Sequence, residues 1–169
     1  MILYGTAHRV GDDITTDMII ASEWRDAGDP AVLAAHCLAS VDPSIAEQAR
    51  EGDLLLAGLG FGAGPEPDVA ALALQAAGFA AIVCATADPG FIAAAGVYGL
   101  PVLICPAAVA AIGAGVVVRI DLARGRIEDR ASGAAYDAPP CPPEVTDAAR
   151  RAQLLTRMRR VVEEEGYDG

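Results

Sequence analysis

The chain of 169 residues contains no lysine and no asparagine, and all twelve of its basic residues are arginine. Without lysine, Schiff-base catalysis and a phosphate loop built on a lysine are excluded; the missing asparagine reads as genome composition. Long apolar runs are also absent. Hydrophobic residues make up 53% of the chain, many of them alanine. The longest stretches, Val69 to Val83 and Ala107 to Val118, are broken by Gln75, Gly78, Gly113 and Gly115, short of the roughly 18 uninterrupted residues of a membrane span. The start Met1-Ile2-Leu3-Tyr4-Gly5 lacks a basic n-region and a long apolar segment, so the cytoplasm is the expected compartment. The four cysteines, Cys37, Cys84, Cys105 and Cys141, form no Cys-x-x-Cys pair, which gives neither zinc-ligand nor iron–sulfur spacing and leaves them as buried free thiols. A net charge of −11 with no basic stripe argues against a nucleic-acid partner.

The length fits one domain, 1–169, with a core over about 1–138 and a C-terminal helix over about 144–165. A first strand is expected from Ile2 to Val10, ending at the turn Gly11-Asp12-Asp13, and a polar loop follows from Asp13 through Ile20. Asp29-Pro30 and Asp42-Pro43 each read as an N-cap with proline at the first helical position, opening helices Ala31 to Ala39 and Ser44 to Arg50. Leu54-Leu55-Leu56-Ala57 and Ala80 to Ala85 read as strands covered on both faces, and Pro101 to Cys105 as a third. Helices are expected from Asp68 to Leu74, Pro89 to Ala95 and Ala107 to Ile112. Val116 to Leu122 and Gly125 to Asp129 alternate around a turn, as in a half-solvated hairpin. The order predicts an α/β fold with a mixed, partly parallel sheet flanked by helices.

The segment Gly58-Leu59-Gly60-Phe61-Gly62-Ala63-Gly64-Pro65-Glu66-Pro67 joins a buried strand to a helix. Such a loop is either an anion site, with N–H groups at a helix N-terminus, or a tight structural connection. It fails the dinucleotide fingerprint because no third glycine falls in place.

Several segments in order carry a resemblance over residues 3 to 135. They are Gly11-Asp12-Asp13-Ile14-Thr15-Thr16-Asp17-Met18-Ile19-Ile20, Asp29-Pro30 through His36, Arg50-Glu51-Gly52-Asp53, Ala57 through Gly64, Ala76-Ala77-Gly78 and Gly99-Leu100-Pro101. Together they resemble the small subunit of 3-isopropylmalate dehydratase and homoaconitase, in the aconitase superfamily. The resemblance implies a swivelling β/β/α-type domain, inactive alone, that docks on a large aconitase-like subunit. That partner would carry a [4Fe–4S] cluster, none being bound by this chain, and a small organic acid would react in the cleft between the two. The isolated chain is open to forming a homo-oligomer. In the family the glycine loop continues Ser-Ser-Arg-Glu, the first serine serving as base and the arginine gripping a substrate carboxylate. Here it continues Pro65-Glu66-Pro67-Asp68, and proline offers neither a proton nor a donor.

By the same resemblance Gly62, Ala63 and Gly64 lie at the cleft, and Asp13, Thr16 and Asp17 either line it or merely shape the turn. Trp24 and Arg25 stand in a divergent stretch, Ala21 to Asp26, where the family selects its substrate. Glu66 is the residue able to replace the missing base, against the alternative of a solvated loop carboxylate. Asp68 is expected to cap its helix, His8 and His36 to pack, and the arginines and glutamates at the chain end to form a solvated helix face.

Overall fold

A computed structural model describes residues 1–166; the end of the expected domain, residues 167–169, lies outside the described residues. Its centre is a seven-stranded sheet in the order β4-β3-β2-β1-β5-β6-β7. The strands are β1 (Ile2–Arg9), β2 (Leu54–Ala57), β3 (Ala81–Cys84), β4 (Val102–Ile104), β5 (Val117–Asp121), β6 (Arg126–Asp129) and β7 (Ala135–Asp137). β1 to β4 pair in parallel, whereas β5, β6 and β7 continue the sheet antiparallel from the other side of β1. This is the α/β fold with a mixed sheet that the sequence predicts.

Strand alternation explains why β2 and β3 are apolar throughout. Leu55, Ala57, Ile82 and Cys84 enter one core, and Leu54, Leu56, Ala81 and Val83 enter the other. The first core lies under helices α1 (Thr16–Ile19), α3 (Pro30–His36), α4 (Pro43–Gln48), α5 (Pro67–Ala76) and α6 (Pro89–Val97). From β1 to β4 the strands step in one direction across the sheet, so right-handed crossovers deliver their helices to one face. The second core is closed by α7 (Pro106–Ala111) and the hairpin. Arg9, leaving β1, donates to the carbonyls of Val109 and Ile112 and so satisfies the exposed C-terminal end of α7.

The structure corrects the sequence reading in four places. The stretch expected as a polar loop after Asp13 coils into α1, with Thr15 capping through an Oγ1 that accepts from Met18, and into α2 (Ser22–Arg25). Helices α3 and α4 stop at His36 and Gln48, earlier than expected, where Cys37 and Ala49 take extended backbone with ψ of 126° and 133°. The edge strand β7 was not expected, being only three residues long. Asp68 does not cap α5: the N-cap position belongs to Glu66, and Asp68 sits inside the first turn, where its charge still meets the positive end of the helix dipole.

His8 packs as expected. Its Nε2 lies 2.8 Å from Asp53 Oδ2, and Asp53 also accepts from the Arg50 and Thr6 amides, which ties the entry of β2 to β1. Leu55→Ala should remove a side chain with no exposed surface and lower unfolding free energy by about 2–5 kcal/mol. Chemical denaturation would register this as a lower midpoint at unchanged slope.

Candidate functional site

The pairing of β1 with β2 does not end where the strands end. Val10 N–H donates to Leu56 C=O (2.9 Å), Gly58 to Gly11 (3.1 Å), Asp13 to Leu59 (2.7 Å), Gly62 to Ile14 (2.7 Å) and Thr16 to Ala63 (3.0 Å). Two loops that could have been independent are thereby zipped together beyond the carboxyl ends of the parallel strands, the edge where open α/β sheets place ligands. The glycine loop is pinned on its other flank too. Phe61 N–H donates to Thr86 C=O (3.1 Å), Asp88 N–H donates to Phe61 C=O (2.8 Å), and Gly60 N–H reaches Thr86 Oγ1 (2.8 Å). Asp12 Oδ1 accepts from Leu59 N–H at 2.8 Å.

Two glycines of this loop have steric reasons. At Gly62, φ 85°, a Cβ would run into the Phe91 ring; at Gly64, φ 131°, it would meet Thr16 Oγ1. Thr16 is fully buried and its Oγ1 has no hydrogen-bond partner among the described residues. Asp13 takes φ 56°, a conformation aspartate tolerates, and brings its carboxylate over Gly60.

Glu66, at φ 54° and ψ 53°, is a left-handed residue between two prolines, a placement costing on the order of 1 kcal/mol. It makes no capping bond, and its carboxylate turns instead toward Arg25. Arg25 Nη1 stands 3.3 Å from Glu66 Oε2, Nη2 contacts Asp17 Oδ1, and Nε donates to Ile20 C=O at 3.2 Å. The guanidinium side chain is only 6% exposed, while Asp17 and Glu66 are 64% and 51% exposed. Arg25 is thus engaged from three directions, and the cluster keeps one net negative charge facing solvent. Trp24, on the same short helix, lies flat on His36 with ring centroids 3.7 Å apart and planes 4° from parallel.

The predicted site residues therefore separate into groups. Asp17, Arg25 and Glu66 meet in one ion cluster; Thr16, Gly62 and Ala63 belong to the ladder, with Gly64 against the Thr16 side chain; Asp13 lies beside them over Gly60; and Trp24 packs on α3. Thr86 and Asp12 were missed as loop supports. Their positions, a hydroxyl just after β3 and an aspartate in a Gly-Asp-Asp turn, are the signals that find them.

Relatives named 3-isopropylmalate dehydratase small subunit match almost the whole chain. The one from Moorella thermoacetica is 36% identical over 96% of this chain and 98% of its own length, and the one from Methanopyrus kandleri is 33% identical over 92% and 94%. This chain belongs to the 3-isopropylmalate dehydratase small-subunit family. A 2,3-dimethylmalate dehydratase small subunit from Eubacterium barkeri is 34% identical over 78% of this chain and 81% of its own. The solved 3-isopropylmalate dehydratase structure from Methanocaldococcus jannaschii superposes with a TM-score of 0.81 at 28% identity, covering 95% of this chain and 99% of that one. No protein-family model matches the sequence.

Among the described residues, the side chains do not fit an iron–sulfur cluster. Cys37, Cys84 and Cys105 are buried and Cys141 is half-buried; among the described residues no three metal-ligating side chains come together. Burial pushes the thiols of Cys37 and Cys84 up to about 12, the protonated and unreactive form at neutral pH. Native protein treated with iodoacetamide near pH 8 should therefore label Cys141 first and leave Cys37 and Cys84 unmodified until unfolded. Peptide mass spectrometry would read the order, and early labelling at Cys37 or Cys84 would contradict the packing.

Proposed function

We infer that this chain is the small subunit of an aconitase-type hydro-lyase or isomerase, closing the active-site cleft over a large subunit that carries the [4Fe–4S] cluster, in the cytoplasm. The observation that carries the reading is the one-sided site. The zipped loops build a rigid wall, Asp13, Asp17 and Glu66 are open to solvent on it, and no second wall stands opposite them among the described residues. A partner bringing cluster and substrate would supply that wall.

The chemistry of the wall argues for a substrate unlike isopropylmalate. By the resemblance to the family, Pro65-Glu66-Pro67 stands where serine and arginine would serve as base and carboxylate clamp. Glu66 is the group that takes the proton-transfer role, and Arg25 positions its carboxylate from beneath while Asp17 balances the guanidinium. Since Arg25 is occupied by two side chains and a carbonyl, it offers no fork to a substrate carboxylate, and a dianion would face the residual negative charge. Gly62, Ala63 and Gly64 provide close backbone approach. The names of the relatives point to substituted malates as the substrate class; the departures here point to a member of it, or a neighbouring hydroxy acid, carrying less charge on the side that faces this subunit.

One observation favours a second reading, in which the subunit docks and assembles without acting on substrate: the Asp17–Arg25–Glu66 cluster is already satisfied within the chain. Anaerobic reconstitution with a large subunit and a screen of hydroxy acids separates the two. For the catalytic reading, Glu66→Gln should lower kcat by about a hundredfold or more with the complex still assembled, and isopropylmalate should turn over poorly, so that the chain does not complement a leucine auxotroph lacking the ordinary subunit. Full turnover in Glu66→Gln and Asp17→Ala complexes would transfer the case to assembly alone.

A further inference from the structure

Helix α8 (Pro143–Glu164) is used in two different ways along its length. Thr146, Ala148 and Ala149 are buried, and Val145 packs close to Gly96 of α6, so the first turns belong to the body. Beyond them Leu154, Leu155, Met158, Val161 and Val162 are each at least half exposed. Their spacing, i, i+1, i+4, i+7 and i+8, gathers them within about 120° of the helix circumference. Arg160, on the opposite side of the helix, pairs with Glu51 of the body, so the apolar stripe is turned outward. Five large apolar side chains in one row exceed the scatter of single exposed residues that a surface normally carries.

The charges on this stripe select its occupant. Arg151 sits on the stripe seven residues before Met158, and Glu165 sits on it seven residues after. A second copy laid antiparallel with Met158 on the two-fold axis places Leu154 against Val162, Leu155 against Val161, and Arg151 against Glu165, and each pairing occurs twice. A parallel pair would set arginine against arginine and glutamate against glutamate. We propose that the distal half of α8 is a self-association surface on which two copies of this chain pair antiparallel about Met158. Such an interface is isologous and closes as a dimer rather than a filament. At roughly 1,000 Å² over both copies it stands at the low end of specific interfaces, so the dimer should dissociate on dilution.

Sedimentation velocity of the full chain across the micromolar range should show a monomer–dimer equilibrium. Met158→Glu brings two like charges together on the axis and should raise the dimer Kd by about a hundredfold, with an unchanged thermal melt at dilutions where both proteins are monomeric, because residue 158 is exposed. Cysteine pairs then read the direction in a Cys141→Ser background under mild oxidation. M158C should cross-link to itself, and an equal mixture of L154C and V162C should cross-link to each other, whereas L154C alone should form no cross-link. A chain that remains monomeric at every concentration would overturn the proposal, including the case in which Met158→Glu only weakens binding to a large subunit. Self-cross-linking of L154C, or association untouched by Met158→Glu, would overturn it as well.

Discussion

The backbone ladder that runs on past the ends of β1 and β2 is the constraint on which the rest of the site depends. Loops at the carboxyl edge of a parallel sheet are ordinarily the mobile part of such folds. Here five backbone hydrogen bonds, three donated by Val10, Asp13 and Thr16 and two by Gly58 and Gly62, pair segment 10–16 with segment 56–63, and the Thr86 turn holds the other side. The ladder stands on strands whose side chains alternate into two separate cores, so neither loop can shift without unpacking Leu55 or Leu56 beneath it. It also explains the glycines: Gly62 and Gly64 lie where the chain passes against Phe91 and Thr16 with no room for a side chain.

A wall so held can present charge without a pocket. Because β1 to β4 advance in one direction, the parallel strands have no reversal of order of the kind that opens a crevice within a single chain. A depression of about 420 Å³ lies instead around His8, Asp53 and Arg50, where the His8 ring and the Arg50 amide both bond the Asp53 carboxylate that joins β1 to the start of β2. The carboxylates of the site face outward, and a cleft forms only when something else covers them. The ion cluster of Asp17, Arg25 and Glu66 contributes little stability while exposed, since such pairs are worth about 0–1 kcal/mol in water. Its weight would grow wherever water is excluded from it.

Much of the fold was legible in the sequence because its signals are local. Asp29-Pro30 and Asp42-Pro43 announce helix starts, continuous apolar runs announce strands buried on both faces, and the alternation after Val116 announces the hairpin. What was missed depends on tertiary contact. The short helix α1 exists because Thr16 and Ile19 are drawn into the core, not because its turn is a strong helix former. Strand β7 is set by pairing with β6 rather than by its own three residues. At the site, the glycine loop and the acidic turn were visible as neighbours of a strand end. That Arg25 folds inward under Glu66, and that Trp24 turns away onto His36, follows from packing that no spacing rule encodes.

Native-state hydrogen exchange at the amides of Asp13, Thr16 and Gly62 tests the zipped wall most directly. If these bonds hold the loops as described, the three amides will exchange only through openings close to global unfolding, with protection comparable to that of Leu55 and Leu56 in β2. Exchange at the rate of freely opening loop amides, while β2 stays protected, would contradict a rigid wall.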